Sequence, residues 1–147
     1  MVHSHLTQRF LAAAVLALAS VASLAAGPNV SLGGKLSGVN EVPANASVGT
    51  GTIEASLNQE TRELKWKVVY SAMTGAVTAG HFHGPAETGK NTGVALGFKG
   101  SVESPIEGAA TITPEQAADL LAGKWYVNLH TKANPGGEIR AQLTPAN

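Results

Sequence analysis

The chain contains no cysteine. No disulfide can staple it, and no thiolate is available as a metal ligand or nucleophile, so an apolar core has to carry its stability. Its one aspartate, Asp119, falls on a predicted helix away from every histidine, which leaves a Ser-His-Asp triad without support. There is no GxSxG elbow, and the glycine-rich run Gly33-Gly34-Lys35-Leu36-Ser37-Gly38 lacks the spacing of a phosphate-binding loop and reads as strand and turn. Ten Lys and Arg balance ten Asp and Glu, with no basic cluster, so bulk electrostatics draw the chain to neither nucleic acid nor an anionic membrane. Aromatic residues make up only 5% of the chain. Trp66, Trp125 and Tyr126 are therefore read first as strand core and only second as a sugar-stacking surface.

Long apolar runs are also scarce, with one exception at the N-terminus. His3, His5 and Arg9 precede the apolar stretch Phe10 to Ala19, and small residues follow as Ser23-Leu24-Ala25-Ala26. This pattern predicts an export signal over residues 1–26, too short to cross about 30 Å of hydrocarbon as an anchor. Residues 27–147 then form a single domain outside the cytoplasm, periplasmic or secreted, with no membrane attachment after cleavage. Cleavage removes His3 and His5. Asn29-Val30-Ser31 and Asn45-Ala46-Ser47 match the glycosylation pattern, which matters only in a eukaryotic secretory pathway.

What the remainder has in plenty is glycine, 17 residues, all after the signal. Leu64, Trp66, Val68 and Tyr70 alternate with Lys65 and Lys67, and Ile53, Ala55 and Leu57 alternate with Thr52, Glu54 and Ser56. That is a hairpin with one buried face. Further strands are predicted at Val30 to Leu36, Ala76 to His83, Val94 to Lys99, Ala109 to Thr113, Lys124 to Thr131 and Glu138 to Leu143. Thr113-Pro114-Glu115-Gln116 has the form of a capping box, so one helix is predicted over Pro114 to Ala122, ending at Gly123. The fold class is all-β: an antiparallel two-sheet β-sandwich with one short helix.

Three histidines remain after the signal: His81, His83 and His130. His81 and His83 are two apart on a strand, so they share a face, and the Gly84-Pro85 turn would hold them at a sheet edge. His130 ends another strand, just before Asn134-Pro135-Gly136-Gly137, which suits a type II turn. Three neutral imidazoles with an open position suit copper or zinc and suit neither calcium nor magnesium. The alternative is that each histidine is a hydrogen-bonded strand-end residue. Glu138, Glu41 and Asn128 are candidates for orienting an imidazole, and Arg140 for drawing in an anion. The plainer alternative for Glu138 and Arg140 is a surface ion pair at a strand end.

Four ordered motifs carry a family resemblance. They are Leu36-Ser37-Gly38 to Asn40-Glu41-Val42-Pro43, Ala79-Gly80-His81-Phe82-His83-Gly84-Pro85, Leu121 to Thr131, and Asn134-Pro135-Gly136-Gly137-Glu138-Ile139-Arg140. Together they resemble the CHRD domain, named from chordin and found in single-copy secreted bacterial proteins. Phe82 stands where the family often has an aliphatic residue, and Ala141 where it often has glycine. The resemblance implies a β-sandwich. In chordin the repeats belong to a secreted growth-factor antagonist, which keeps a non-catalytic cell-surface or matrix module open here. The HxH pair with a later histidine and arginine is also similar to the copper side of Cu/Zn superoxide dismutase, which implies one copper ion and, if catalysis occurs, superoxide as the small anion.

Overall fold

In the computed structural model the described residues are 28–146. The predicted signal, residues 1–26, lies outside them. Nine strands follow in order: β1 (Asn29–Ser37), β2 (Thr50–Asn58), β3 (Glu63–Ser71), β4 (Val77–His83), β5 (Val94–Gly97), β6 (Ile106–Thr111), β7 (Tyr126–Thr131), β8 (Ile139–Gln142) and β9 (Thr144–Pro145). A 3-10 turn, Gly38–Asn40, follows β1, and the helix α1, Pro114–Leu121, separates β6 from β7. The all-β expectation with one short helix therefore holds. Among the described residues no helix is long and apolar enough to cross a membrane.

The strands form one antiparallel sheet in the order β5-β4-β7-β8-β1-β2-β3-β6, with β9 also on β1. Two separate sheets were expected. A ladder between β1 and β8, at Ser37 and Arg140, instead joins the two halves. The sheet curls so that these halves face each other: Trp66 on β3 meets Phe82 on β4 edge-on at 5.2 Å and stacks on Phe98 at 5.5 Å. Leu57, Leu64, Val68, Val127, Leu129 and Ile139 fill the space between, all fully buried. Each such side chain stabilises the fold by roughly 1.5–3 kcal/mol.

The helix forms as its sequence directs. Thr113 Oγ1 accepts from the Gln116 N–H while the Gln116 side chain accepts from the Thr113 N–H, Pro114 opens the first turn, and Gly123 takes φ +73° just past the end. Ala117 and Leu120 are buried, and Leu121 packs partly against the core. Replacing Thr113 with Ala is expected to lower stability by about 1 kcal/mol in urea unfolding, leaving the sheet intact.

The strand pattern places β4, β7 and β8 side by side with opposite faces of opposite character. Phe82, Val127, Leu129, Ile139 and Ala141 point into the core. His81, His83, Tyr126, Asn128, His130 and Arg140 alternate with them along the strands and so project from the other face. His81 lies opposite Asn128 on β7, and Asn128 lies opposite Arg140 on β8.

Candidate metal centre

Six polar residues on or beside this outer face are nevertheless buried: Glu41, His83, Asn128, His130, Glu138 and Arg140. Two loops cover them. Residues 41–49 approach β8, where Asn45 Nδ2 donates to the Glu138 carbonyl at 3.0 Å. The loop at 90–92 lies over Tyr126 and Arg140. Asn91 Nδ2 donates to the Val42 carbonyl at 2.7 Å and ties one loop to the other.

The three predicted ligands do come together. His81 Nδ1 and His130 Nε2 are 3.0 Å apart, and one nitrogen from each of His81, His83 and His130 lies within 4.8 Å of the others. Two nitrogens bound at about 2.0–2.1 Å to one tetrahedral ion would sit about 3.3 Å apart, so the His81–His130 pair is close to ligand spacing. His83 Nδ1 contacts the Thr92 carbonyl at 3.0 Å, and His130 Nδ1 contacts the Pro135 carbonyl at 2.9 Å. A carbonyl only accepts, so His130 Nδ1 carries a hydrogen and its Nε2 presents the lone pair, which accepts from His81 Nδ1; His83 Nδ1 faces the Thr92 carbonyl in the same way, with the Asn128 amide at its Nε2. Backbone anchoring of one imidazole nitrogen is the usual device for aiming the other at a metal.

Burial pushes the His81 imidazole below its ordinary value, with His130 and His83 adding to the effect. Burial lowers His130 as well; its bond to Pro135 opposes this and His83 reinforces it. Both rings are therefore kept neutral and able to ligate near pH 7.

Around the histidines the other candidates take different places. Asn128 touches the trio, its Oδ1 lying 3.0 Å from His83 Nε2. Glu41 does not reach an imidazole. Its carboxyl and the Asn128 amide both pack on Gly137, where an added Cβ would lie 2.4 Å from Glu41 Oε1 and 2.5 Å from Asn128 Nδ2. Glu41 Oε1 is buried without a hydrogen-bond partner. Burial pushes this carboxyl up to about 7, against the opposing effects of the Arg140 charge, the Asn128 amide and the Val42 backbone.

Arg140 is 1% exposed. Its Nη1 donates to Asn91 Oδ1 at 2.9 Å, its Nη2 donates to the Lys90 carbonyl at 2.7 Å, and it lies 3.4 Å over the Tyr126 ring. Drawing in an anion would require the 90–92 loop to release it; as placed, it clamps that loop. Glu138 orients no imidazole either. Its carboxylate accepts from Ser47, Thr74, Thr131 and Asn134. No surface ion pair joins Glu138 to Arg140.

Two local expectations are corrected. β4 is not a sheet edge, because β5 pairs along its far side. The 134–137 turn closes with the Gly137 N–H on the Asn134 carbonyl at 3.1 Å, but Gly137, not Gly136, takes positive φ, at +130°. The turn is therefore not type II: the glycine is required one residue later, where the chain passes Glu41 and Asn128.

Tyr126 is the residue missed as part of the site. It stacks on His83 with ring centroids 4.7 Å apart and planes 3° from parallel, so Arg140, Tyr126 and His83 form one column. Its shared parity with Asn128 and His130 was the available signal. Two open grooves of about 710 and 560 Å³ are lined by residues around β1, β2 and β3 and by none of the three histidines.

Searches of the curated proteins and of the solved structures find no match. Residues 32–143 match the family model for the CHRD domain, a span that holds every strand from β2 to β8, most of β1 and all three histidines. The chain belongs to the CHRD-domain family.

Proposed function

We propose that this chain is an exported CHRD domain that holds one copper ion through His81, His83 and His130, with zinc as the alternative ion. The observation that carries the reading is the 3.0 Å approach of His81 Nδ1 to His130 Nε2 beside His83, in a group where two of the three rings are anchored through Nδ1 on backbone carbonyls. Three neutral nitrogens with an open position form a donor set suited to these borderline ions. Copper held there would supply a one-electron Cu(II)/Cu(I) couple, the chemistry that superoxide dismutation needs. The chain's own part is to fix ring planes: Tyr126 stacks on His83, and the Thr92 and Pro135 carbonyls set which nitrogen faces the ion.

Protein exchanged into Cu(II) or Zn(II) and then desalted is expected to retain about one equivalent of metal, measured by elemental analysis. Folded protein that retains neither ion overturns the metal reading and leaves a non-catalytic cell-surface or matrix module. Copper retained without faster superoxide decay overturns the dismutase assignment alone and leaves an ion carrier.

A further inference from the structure

Arg62 lies in the turn between β2 and β3, and it belongs to no part of the candidate metal centre. Its backbone is fixed on both sides: the Arg62 N–H donates to the Asn58 carbonyl at 2.8 Å, and the Arg62 carbonyl accepts from the Ile112 N–H at 3.0 Å. The residue takes φ +58°, in the left-handed region that glycine or asparagine occupies at less cost. A strained position thus carries a long cationic side chain. Among the described residues no ion pair holds its guanidinium, and its Nε is buried without an acceptor. A buried donor on a charged group is normally matched, so this one calls for an acceptor.

Arg62 lines a cavity of about 300 Å³. The other walls are Leu57, Gln59 and one face of α1, where Pro114, Ala117, Ala118 and Leu121 follow the i, i+3, i+4, i+7 spacing of a helical stripe. Apart from Gln59 these walls are apolar. Glu115, in the first turn of the same helix, is not the missing counter-ion. Its carboxyl is held below the ordinary value first by its own N–H, then by Thr113, and last by the Arg62 charge.

We infer that this cavity binds a small apolar monocarboxylate, with the carboxylate on the Arg62 guanidinium and the hydrocarbon body along Ala117, Ala118 and Leu121. A planar guanidinium matches one carboxylate with paired hydrogen bonds. A phosphate would bring a second charge, and no second cation lines the cavity to meet it. A sugar would find few polar groups on the helix face. The volume is at the lower end of the range of about 300–1,000 Å³ for small-molecule sites, which suits a short aliphatic acid. The site stands or falls apart from the metal reading.

The test titrates the ¹⁵N-labelled full chain with sodium octanoate and follows the backbone amides and the arginine Nε–H signals. Saturable shifts are expected at residues 57–62 and 114–121, with the Arg62 Nε–H among them. Octanol keeps the hydrocarbon body without the charge, and acetate keeps the charge without the body; each is expected to bind at least about ten-fold more weakly than octanoate. Arg62→Met keeps the length of the side chain and loses its charge, and is expected to weaken octanoate binding about ten-fold. The inference is overturned by octanol or acetate binding as tightly as octanoate, by folded Arg62→Met binding like the wild type, by saturable shifts only elsewhere, or by none at millimolar octanoate. If Arg62→Met does not fold, the comparison of the three ligands on the wild type decides the question.

Discussion

Replacing Glu138 with Ala is expected to remove at least about 3 kcal/mol of stability in urea unfolding, and to loosen the loops over the histidines before the sheet itself melts. Its carboxylate is where four chain segments meet. Oε1 accepts from Ser47 Oγ at 2.7 Å and from the Thr74 N–H at 2.8 Å; Oε2 accepts from Thr74 Oγ1 at 2.6 Å, from Asn134 Nδ2 at 3.2 Å and from Thr131 Oγ1. Removing it strands several donors, some without water to replace the lost acceptor. Glu138→Gln keeps the shape but puts an NH₂ against donors, so it is expected to recover only part of the loss.

The pH dependence follows from the same bonds. Burial pushes this carboxyl up, but the hydrogen bonds from Thr131, Thr74 and Ser47 outweigh it and hold the group at about 2, against an ordinary 4.5. The folded state therefore binds fewer protons than the unfolded chain between those values. Glu138's contribution is complete above about pH 4.5 and is lost as the pH falls toward about 2. Urea midpoints measured across that range should decline in the wild type and decline less in Glu138→Ala.

Replacing His130 with Ala is expected to weaken zinc or copper binding by at least about a hundredfold, since a structural ion's binding energy divides among few ligands. Isothermal titration measures it, with His81→Ala as a parallel case. Burial also sets a pH window. His81 and His130 are both held below the ordinary 6.5, so the folded state resists protonation of the ligands. Metal uptake should persist somewhat below pH 6.5 and fail as the pH drops through the lowered values. In the metal-free protein the sign is the same: below about 6.5 the unfolded chain takes up protons that these rings refuse, so stability falls with pH.

The legible parts of this protein were those governed by local chemistry. The capping box at Thr113 and Gln116 and the glycine at 123 define the helix within one residue of its predicted end. Strand alternation put His81 and His83 on one face, and the parity of Asn128 and His130 put both on the same side of β7. What was not legible depends on loops. Nothing in the local sequence says that residues 41–49 and 90–92 fold over the outer face, yet that cover buries Arg140 and Glu41. The joining of two expected sheets into one rests on the pairing of Ser37 with Arg140, far apart in the chain. A short strand after Leu143, β9, went unseen because Thr144–Pro145 carries no alternation to detect.

The single curled sheet also sets the order in which the ligands become neighbours. His81 and His83 are close in any extended chain, but His130 is 49 residues beyond His81 and arrives only when β7 docks on β4. Closing so long a loop is an entropic cost that precedes any reward from the pairing. Of these three ligands an unfolded chain therefore holds only His81 and His83 close together, and the three-imidazole cluster belongs to the folded state. An ion held at the cluster would then add to the resistance of the finished domain against unfolding, by mass action.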